Sequence, residues 1–329
     1  MRDYYITRGG RMKRSENTVE LDLVDGSKRD IPINDIKSIH LLGETDLNTR
    51  LFVFLSQHGI PVHIYNWYGY YSGSFYPREK LLSGFLIVKQ VQHYLEPEKR
   101  LVIAKEFVRT AIYNITQNLN HYKDNGKEVA VFIDRIRKEE AALDSCRTVP
   151  DVMGVEGRSR EIYYSSFETF LREGFEFQKR TRQPPENMLN SMISFGNSLM
   201  YATTLSEIYH TQLTPTVSYL HEPGERRFSL ALDLAEVFKP IIVDRVIFNL
   251  INNRIIKEEH FLQELNSCYL SEDGRKIFIT EYDKKLNTTL RHAQLRRHIS
   301  YQRLIRIEAF KLIKHLLGES AYRGFRSQW

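Results

Sequence analysis

Polar and apolar residues alternate with a period of about two through the first 76 or so residues, and this period is typical of β-strands. Short runs bounded by Gly-Gly, Asp-Gly and similar turn signals predict strands at 3–7, 18–24, 28–33, 36–42, 60–65 and 70–76. One helix is expected at 47–58, capped by Thr45 or Asp46 and ended by Gly59. The pattern indicates a small, mainly antiparallel β domain with one helix.

After Pro77 the apolar period changes to about 3.6, which predicts helices. A long helix follows Pro97, and further helical patterns cover 129–143, 159–177, 187–209, 229–253, 258–265 and 288–317. The chain is therefore expected to be an α+β protein with an N-terminal β domain (1–80), a linker or first helical segment (81–96) and a larger all-α C-terminal domain (97–329).

The composition excludes several protein classes. Of the 329 residues 42% are hydrophobic and 27% charged, as in globular proteins. No run approaches the roughly 20 apolar residues of a membrane span, and the N-terminus carries no apolar signal region. The two cysteines, Cys146 and Cys268, cannot form a disulfide framework or a cysteine-rich zinc site. We expect a cytoplasmic protein without a membrane partner.

The positive charge is concentrated near the C-terminus. The whole chain carries +6, whereas 284–329 holds eleven Lys/Arg against two acids, a net +9, so the rest sums to about −3. Such asymmetry favours a nucleic acid as partner, and the alternative is a solvated helix face. Because Arg291, Arg296, Arg297 and Arg303 belong to this segment, they are candidate DNA contacts.

Two carboxylates at helical spacing form the first candidate site. Asp233 and Glu236 share one face of the predicted helix 229–253 with Ser229, near its start. Neighbouring carboxylates in an apolar helix repel each other, and a divalent cation offsets that repulsion. The alternative is that both acids are solvated and pair with Arg226, Arg227 or Lys239. Pro240 lacks the N–H that would bond Glu236 O, so the helix should loosen there.

His221 and Glu156 could complete a metal site. His221 lies in the loop that leads into the carboxylate helix, and imidazole nitrogen with carboxylate oxygen suits Mg²⁺ or Mn²⁺. Glu156 lies between Gly154 and Gly157, just ahead of the predicted helix 159–177. The alternatives are a hydrogen-bonded structural histidine and an acid favoured by a helix N-terminus.

Taken together, these segments resemble the CRISPR-associated spacer-acquisition integrases. The likeness covers nearly the whole chain. Three stretches carry it: Glu156-Gly157-Arg158; Arg182 to Asn190 (RQPPENMLN), continuing through Ser194-Phe195-Gly196 to Tyr201; and Leu220-His221, Arg227-Phe228-Ser229, Asp233 to Glu236 and Phe238-Lys239-Pro240. The family's usual Tyr-x-Pro-Phe ending appears here as Tyr322 to Phe325 (YRGF), which leaves open how the C-terminal segment contacts DNA.

The resemblance implies roles for individual residues. Glu156, His221 and Glu236 match the family's metal ligands and catalytic residues, and Asp233 matches the accompanying acid. Asn187, Arg227, Ser229 and Lys239 match positions that support ligands or phosphate. Arg158 and Arg160 follow the first motif and, with the C-terminal arginines, are expected to bind DNA.

The resemblance also implies a function in adaptive antiviral defence. Similar proteins are metal-dependent endonucleases and integrases that join the 3′-hydroxyl of a short DNA fragment to a CRISPR repeat by transesterification. They act on double-stranded and branched DNA as homodimers, with the dimer contact in the β domain, and are bridged by a small ferredoxin-like partner subunit. Two alternatives stay open: a stand-alone nuclease for branched repair intermediates, and a non-catalytic DNA-binding scaffold.

Overall fold

The chain begins with strands, as the alternating pattern predicts. The computed structural model describes residues 1–78, 81–177, 179–182, 184–224, 228–292 and 295–328. The strands of the first part are β1 (Arg2–Ile6), β2 (Gly10–Ser15), β3 (Thr18–Leu23), β4 (Lys28–Pro32), β5 (Ile36–Leu41), β6 (Thr45–Leu47), β7 (Val62–Tyr65) and β8 (Tyr71–Phe75). Helix α1 (Thr49–His58) lies between β6 and β7, and its cap is Asn48, not Thr45 or Asp46, which belong to β6.

These strands form two four-stranded sheets, in the orders β1-β5-β7-β8 and β4-β3-β2-β6. The expectation of mainly antiparallel pairing is corrected here. The β1–β5, β5–β7 and β2–β6 pairs are parallel, and β2–β3, β3–β4 and β7–β8 are antiparallel. Strands β5 and β7 run parallel because helix α1 crosses over between them, and a local alternation pattern does not reveal which strands pair.

The rest of the described chain is largely helical. Its helices are α2 (Gly84–Leu95), α3 (Pro97–Asp124), α4 (Ala130–Ala142), α5 (Val149–Ser165), α6 (Met188–Tyr209), α7 (Ser229–Phe238), α8 (Arg245–Asn252), α9 (Glu272–Asn287) and α10 (Tyr301–Leu316). The prediction for 159–177 is wrong at both ends. Helix α5 starts ten residues earlier because Thr148 and Asp151 form a capping box there. Glu156 therefore lies within a helix and not ahead of one.

The C-terminal part is not all-α. The segment predicted as a helix at 258–265 is a short 3₁₀ turn followed by β9 (Phe261–Glu264), which pairs with β10 (Ser267–Leu270). The first third of the predicted helix 288–317 is instead a hairpin of β11 (Thr289–His292) and β12 (Arg297–Ser300). Thr288 is extended after α9, and its β-branched neighbour Thr289 suits a strand.

The predicted loosening at Pro240 takes the form of a π-helical segment, Pro240–Asp244, between α7 and α8. The Asp244 N–H bonds the Lys239 carbonyl, five residues back, at 3.0 Å. Two asparagines of α3 satisfy carbonyls that this irregularity exposes, since Asn114 Nδ2 donates to Val237 O (3.0 Å) and Asn118 Nδ2 donates to Pro240 O (2.9 Å). Helix α3 thus fixes the geometry of the π-helical segment through these two asparagines.

The β domain has an apolar core of its own, and the helical core takes in Leu42 and Tyr65 of the β domain. Buried polar contacts also join the two parts. Gln302 of α10 and Ser38 of β5 both donate to the buried Asp3 carboxylate. Lys37 pairs with the buried Glu207 of α6, which also accepts from Arg306 at 2.7 Å. Across the described ranges, no helix is both long and apolar enough to cross a membrane.

Candidate active site

Three separate elements bring Glu156, His221 and Glu236 to one cavity of about 910 Å³. Glu156 projects from the middle of α5, Glu236 from the last turn of α7, and His221 from the loop before α7. The residues lie 65 and 15 positions apart in sequence, and they become neighbours because α5 and α7 both pack against α3. They are the three residues for which the sequence predicts metal binding and catalysis.

Two cations hold the carboxylates. Arg160 Nε donates to Glu156 Oε1 at 2.8 Å, and Arg160 Nη2 donates to Glu236 Oε2. Lys239 Nζ pairs with Glu236 Oε1. Burial by itself raises the pKa of Glu236, but the charges of Lys239 and Arg160 outweigh it and lower that pKa to about 2. Glu236 is therefore ionised at neutral pH in spite of being buried.

Asp233 orients His221. The Asp233 carboxylate is fully buried and accepts the backbone N–H groups of Tyr219 (2.7 Å), Leu220 (3.0 Å) and His221 (2.9 Å). It also lies 2.8 Å from His221 Nδ1, which leaves Nε2 as the ring nitrogen for a ligand. Burial lowers the pKa of His221, but the hydrogen bond and charge of Asp233 outweigh burial, so the pKa is raised overall. Asp233 therefore fixes the orientation of the His221 imidazole through its Nδ1 atom.

The donor set suits a divalent cation in its chemistry, since two carboxylates and one imidazole line the same cavity. Arg160 lies between the two carboxylates and pairs with both. In the part of the chain that the structure describes, no three His, Cys, Asp or Glu side chains stand together in coordinating positions. An ion bound here would take over the charge balance that Arg160 and Lys239 now provide.

Asp244 is a buried acid beside this cluster that the sequence did not single out. Its Oδ2 atom is buried and has no hydrogen-bond partner among the residues that the structure describes. Burial raises the pKa of Asp244 to about 6, although the charge of Arg160 opposes the shift. The π-helical segment places it there, and no local sequence signal marks that placement.

The predicted supporting residues have distinct positions. Lys239 pairs with Glu236, as described above. Ser229 is the first residue of α7, and its hydroxyl donates to Thr216 O at 2.9 Å, which ties down the loop that carries His221. Asn187 caps α6 by accepting from Asn190 N at 2.8 Å and does not line the cavity. Arg227 lies outside the described residues.

The predicted DNA-binding arginines divide into two groups. Arg160 is mostly buried between the carboxylates, whereas Arg158 is exposed and pairs with Glu139 at 2.9 Å. Arg291, Arg296 and Arg297 are exposed on the β11–β12 hairpin, and Arg303 is exposed in the first turn of α10. The surface that carries the C-terminal arginines is thus a hairpin followed by a helix, and not the single helix expected.

Sequence reasoning did not foresee how other residues contribute to the cavity. Tyr70 and Tyr71 reach it from the β domain, where Tyr71 N–H donates to Ser198 Oγ of α6 at 2.8 Å. Arg180 is held by Asn190 Oδ1 (3.0 Å) and Ser194 Oγ (2.9 Å) at the cavity wall. For the contacts that hold Arg180, the sequence signal is the RQPPENMLN and SFG stretches, which contain Asn190 and Ser194.

Comparison with known proteins assigns the family. The model of the family described as CRISPR associated protein Cas1 matches residues 4–284. A CRISPR-associated endonuclease Cas1 from Thermodesulfovibrio yellowstonii is 50% identical over 329 residues, covering 100% of both chains. One from Clostridium perfringens is 49% identical over 331 residues, covering 100% of this chain and 99% of the relative. The chain belongs to the CRISPR-associated Cas1 family.

Solved structures agree with this assignment. A Cas1 protein from Thermotoga maritima matches with a TM-score of 0.89 and 42% identity, over 99% of this chain and 100% of the other. A casposase bound to its integration product has the same fold, with a TM-score of 0.89 at 22% identity, over 99% of this chain and 94% of the casposase. The expected β-then-α fold and the expected enzyme class, a CRISPR-associated endonuclease, are confirmed.

Proposed function

We propose that this chain is a metal-dependent DNA endonuclease and integrase that joins short foreign DNA fragments to a CRISPR array as new spacers. The observation that carries the proposal is the cavity lined jointly by Glu156, His221 and Glu236. Relatives about half identical over the full length are named CRISPR-associated endonucleases, which supports nuclease chemistry. The casposase, captured with an integration product, supports strand joining on this fold.

Glu156, Glu236 and the Nε2 atom of His221 would hold Mg²⁺ or Mn²⁺. When bound, the ion polarises the scissile phosphate and stabilises the charge that develops on its oxygens. The chain's own residues prepare the site for this chemistry. Lys239 and Arg160 keep Glu236 ionised, and Asp233 fixes the imidazole so that Nε2 faces the cavity.

Double-stranded or branched DNA would reach the carboxylates along a basic wall. Lys179, Arg180 and Arg182 line the same cavity, and Asn190 and Ser194 hold the Arg180 guanidinium in place. A guanidinium fixed in this way binds a phosphate at a set position, which is what positioning a scissile bond requires. The phosphate contacts should make binding salt-sensitive.

The assembly is proposed to be a homodimer joined through the β domain and bridged by a small ferredoxin-like partner. A complex named for Cas6-RT-Cas1 and Cas2 shares this fold at 20% identity. Several aromatic side chains of the β domain are used within the chain, since Tyr70 and Tyr71 line the cavity and Phe75 packs on Phe52. Val53 of α1 and Ile64 of β7 remain exposed and offer an apolar contact surface.

Substitutions in the full-length protein test the dimer. Val53→Glu combined with Ile64→Glu should convert a dimer to a monomer in sedimentation velocity at about 10 μM, because each buries a charge at the contact. Val131→Glu, on exposed helix α4, is the matched control and should leave the dimer intact. A double variant that still sediments as a dimer would move the contact away from these residues.

Isosteric removal of one carboxylate tests the chemistry. Glu156→Gln should abolish cation-dependent cleavage and joining, at least 100-fold, with the unfolding curve close to that of the parent protein. Glu161→Gln is the control, because Glu161 is an exposed carboxylate on the same helix at the same cavity. Cation-independent DNA binding with no cleavage by the parent protein would instead make the chain a non-catalytic scaffold.

A further inference from the structure

The turn between β7 and β8 carries two aromatic side chains that face solvent. Trp67 is 74% exposed and Tyr68 is 48% exposed. Neither side chain lines the cavity of the candidate active site. Because a ligand that covers aromatic rings removes apolar surface from water, two neighbouring exposed rings are typical of a binding surface.

The turn holds these two rings in a fixed position. Asn66 Oδ1 accepts the N–H groups of Tyr68 and Tyr70, both at 3.0 Å. Gly69 has a φ of 82°, and a Cβ atom at this position would lie 2.6 Å from the buried Phe195 ring. Only glycine fits here without strain. The rings are thus ordered before a ligand arrives, which lowers the entropic cost of binding.

A third aromatic ring and a cation extend this surface. The Tyr269 ring of β10 lies 4.6 Å from the ring of Tyr68, with an angle of 35° between the two planes. The Arg275 guanidinium of α9 lies 5.7 Å from the centre of the Trp67 ring and also donates to the Trp67 carbonyl. Trp67, Tyr68 and Tyr269 together are called the aromatic platform below.

Tyr70 connects the aromatic platform to the candidate active site. It lines the cavity, and its hydroxyl donates to Arg182 O at 3.0 Å. Burial and the nearby Tyr269 raise the pKa of Tyr70, while the charge of Arg180 opposes the shift. Arg180 and Arg182 line the same cavity. Because the charge of Glu264 also reaches Tyr269, the fit to a polyanion lies at the cavity end of this surface.

We propose that the aromatic platform binds the unpaired bases of a DNA strand by stacking, while the phosphates of that strand follow Arg180 and Arg182 into the cavity. Stacking uses the flat face that all bases share, so binding should show little sequence preference. A blunt duplex hides these faces between its base pairs and should not bind the platform. The inference rests on the proposed nuclease and integrase function for the role of the strand, which is to bring a single-stranded end to the carboxylates.

The fluorescence of Trp67 tests stacking directly. The chain has two tryptophans, Trp67 and Trp329, so Trp329→Phe leaves Trp67 as the only indole emitter. In EDTA, oligothymidylate should quench this emission, because the stacked base contacts the indole ring. An abasic strand of equal length carries the same phosphates without bases, and it should leave the emission unchanged, as should a blunt duplex.

The affinity for an end-labelled single strand, measured by fluorescence anisotropy, is the second readout. Trp67→Ala should weaken this binding about tenfold, as expected for the loss of one stacked base, and should bind a blunt duplex as the parent protein does. Phe85→Ala is the matched control, because Phe85 of α2 is also exposed and has Lys89 Nζ 5.5 Å from its ring centre. Trp67→Phe should restore most of the affinity, and circular dichroism checks that each variant folds.

Three results would overturn the proposal. The abasic strand could quench Trp67 as strongly as oligothymidylate does, or Trp67→Ala could bind the single strand no more weakly than Phe85→Ala. Alternatively, Trp67→Ala could bind DNA normally but sediment as a smaller species, in which case the platform joins two copies of the chain. Because both readouts are made without metal, they can fail while the cleavage test with Glu156→Gln succeeds, and a chain that does not cleave DNA can still show the quenching.

Discussion

Arg160 links the two carboxylates of the candidate active site. It follows the Glu-Gly-Arg motif by two positions, and its neighbour Arg158 is far more exposed, with 54% against 14% of the side chain accessible. Sequence position alone made both residues candidate DNA contacts. The structure places Arg160 between Glu156 and Glu236, where its charge offsets that of the two carboxylates.

Replacing Arg160 should make the protein less stable and more responsive to metal. Arg160→Gln leaves Glu156 without its described ion pair and Glu236 with Lys239 alone, so unfolding should cost about 1–3 kcal/mol less. An ion that binds the folded state should then recover stability, because the carboxylates carry an unbalanced charge. The measurement is the thermal unfolding midpoint with and without millimolar Mn²⁺.

Arg158→Gln is the control for that experiment, since it removes the same charge from the exposed side of α5. Its midpoint should change little, and its response to Mn²⁺ should equal that of the parent protein. Equal responses to Mn²⁺ in Arg160→Gln and in the parent protein would contradict the idea that arginine and metal share the two carboxylates.

At the scale of elements, the break between α7 and α8 positions the site. Glu236 and Lys239 lie directly before the π-helical segment, and Asp244 ends it. The segment keeps its shape because Asn118 bridges three partners, donating to Pro240 O and Tyr163 Oη and accepting from Arg245 Nε at 2.8 Å. Tyr163 belongs to α5, so the same amide links the two helices that carry the carboxylates.

Removing this amide should disturb both stability and catalysis. Asn118→Leu leaves Pro240 O buried without its donor, which should lower the free energy of unfolding by about 1–3 kcal/mol. Cleavage should fall further than the folded fraction explains, because Lys239 and Glu236 lose their fixed geometry. Thr116→Val serves as the control, since the Thr116 hydroxyl bonds only a carbonyl of its own helix. Urea unfolding and single-turnover cleavage would measure the two effects.

The β11–β12 hairpin is the element in which the structure differs most from the sequence-based prediction, which was a helix. Arg296, in the turn with φ of 50°, and Arg297 are exposed at its tip. Arg296→Glu with Arg297→Glu should weaken DNA binding for all sequences alike and reduce the salt dependence by roughly one unit of slope per lost phosphate contact. Arg135→Glu with Lys138→Glu, on exposed positions of α4, makes the same change in charge elsewhere.

Filter binding or fluorescence anisotropy over a series of salt concentrations measures this slope. Cleavage at saturating DNA should survive in the hairpin variant because the cavity residues are untouched. Equal losses in the hairpin and α4 variants would mean that net charge alone, and not the hairpin, determines DNA binding.

At the scale of the whole molecule, a buried polar junction joins the β domain to the helices. Asp3 of β1 accepts from Ser38 Oγ at 2.7 Å and from Gln302 of α10. Burial raises the pKa of Asp3 to about 6, even though the charge of Lys37 opposes the shift. The folded protein therefore holds a proton on Asp3 in a pH range where the unfolded chain has released it.

This linkage predicts a pH dependence of stability. Between pH 3.8, the ordinary pKa of Asp, and about 6, the folded state binds the extra proton, so the contribution of Asp3 to stability falls as the pH rises. Asp3→Asn cannot ionise and should lack this contribution. Its free energy of unfolding relative to the parent protein should rise by about 2–3 kcal/mol from pH 4 to pH 7. Parallel urea-unfolding curves at all pH values would refute the shift.

Much of this molecule can be predicted from its sequence because the signals are local. The period of the apolar residues separates the strand-rich start from the helices, and Pro240 breaks a helix because it lacks an N–H. The motifs around Glu156, His221 and Glu236 likewise identified the residues that meet in one cavity. The apolar period and the break at Pro240 each depend on residues a few positions apart, whereas the site residues come from segments 65 and 15 positions apart and were identified through the family resemblance.

Only the tertiary structure decided what depends on distant contacts. The parallel pairing of β1, β5 and β7 follows from a crossover, and the hairpin at 289–300 forms where an apolar pattern alone favoured a helix. Arg160 is mostly buried because α5 and α7 both pack against α3, which brings Glu236 to it. Tyr70 and Tyr71 reach the cavity because the β domain packs against α6. Burial and charge depend on which chain segments pack together, and a residue's own neighbours in sequence do not determine that.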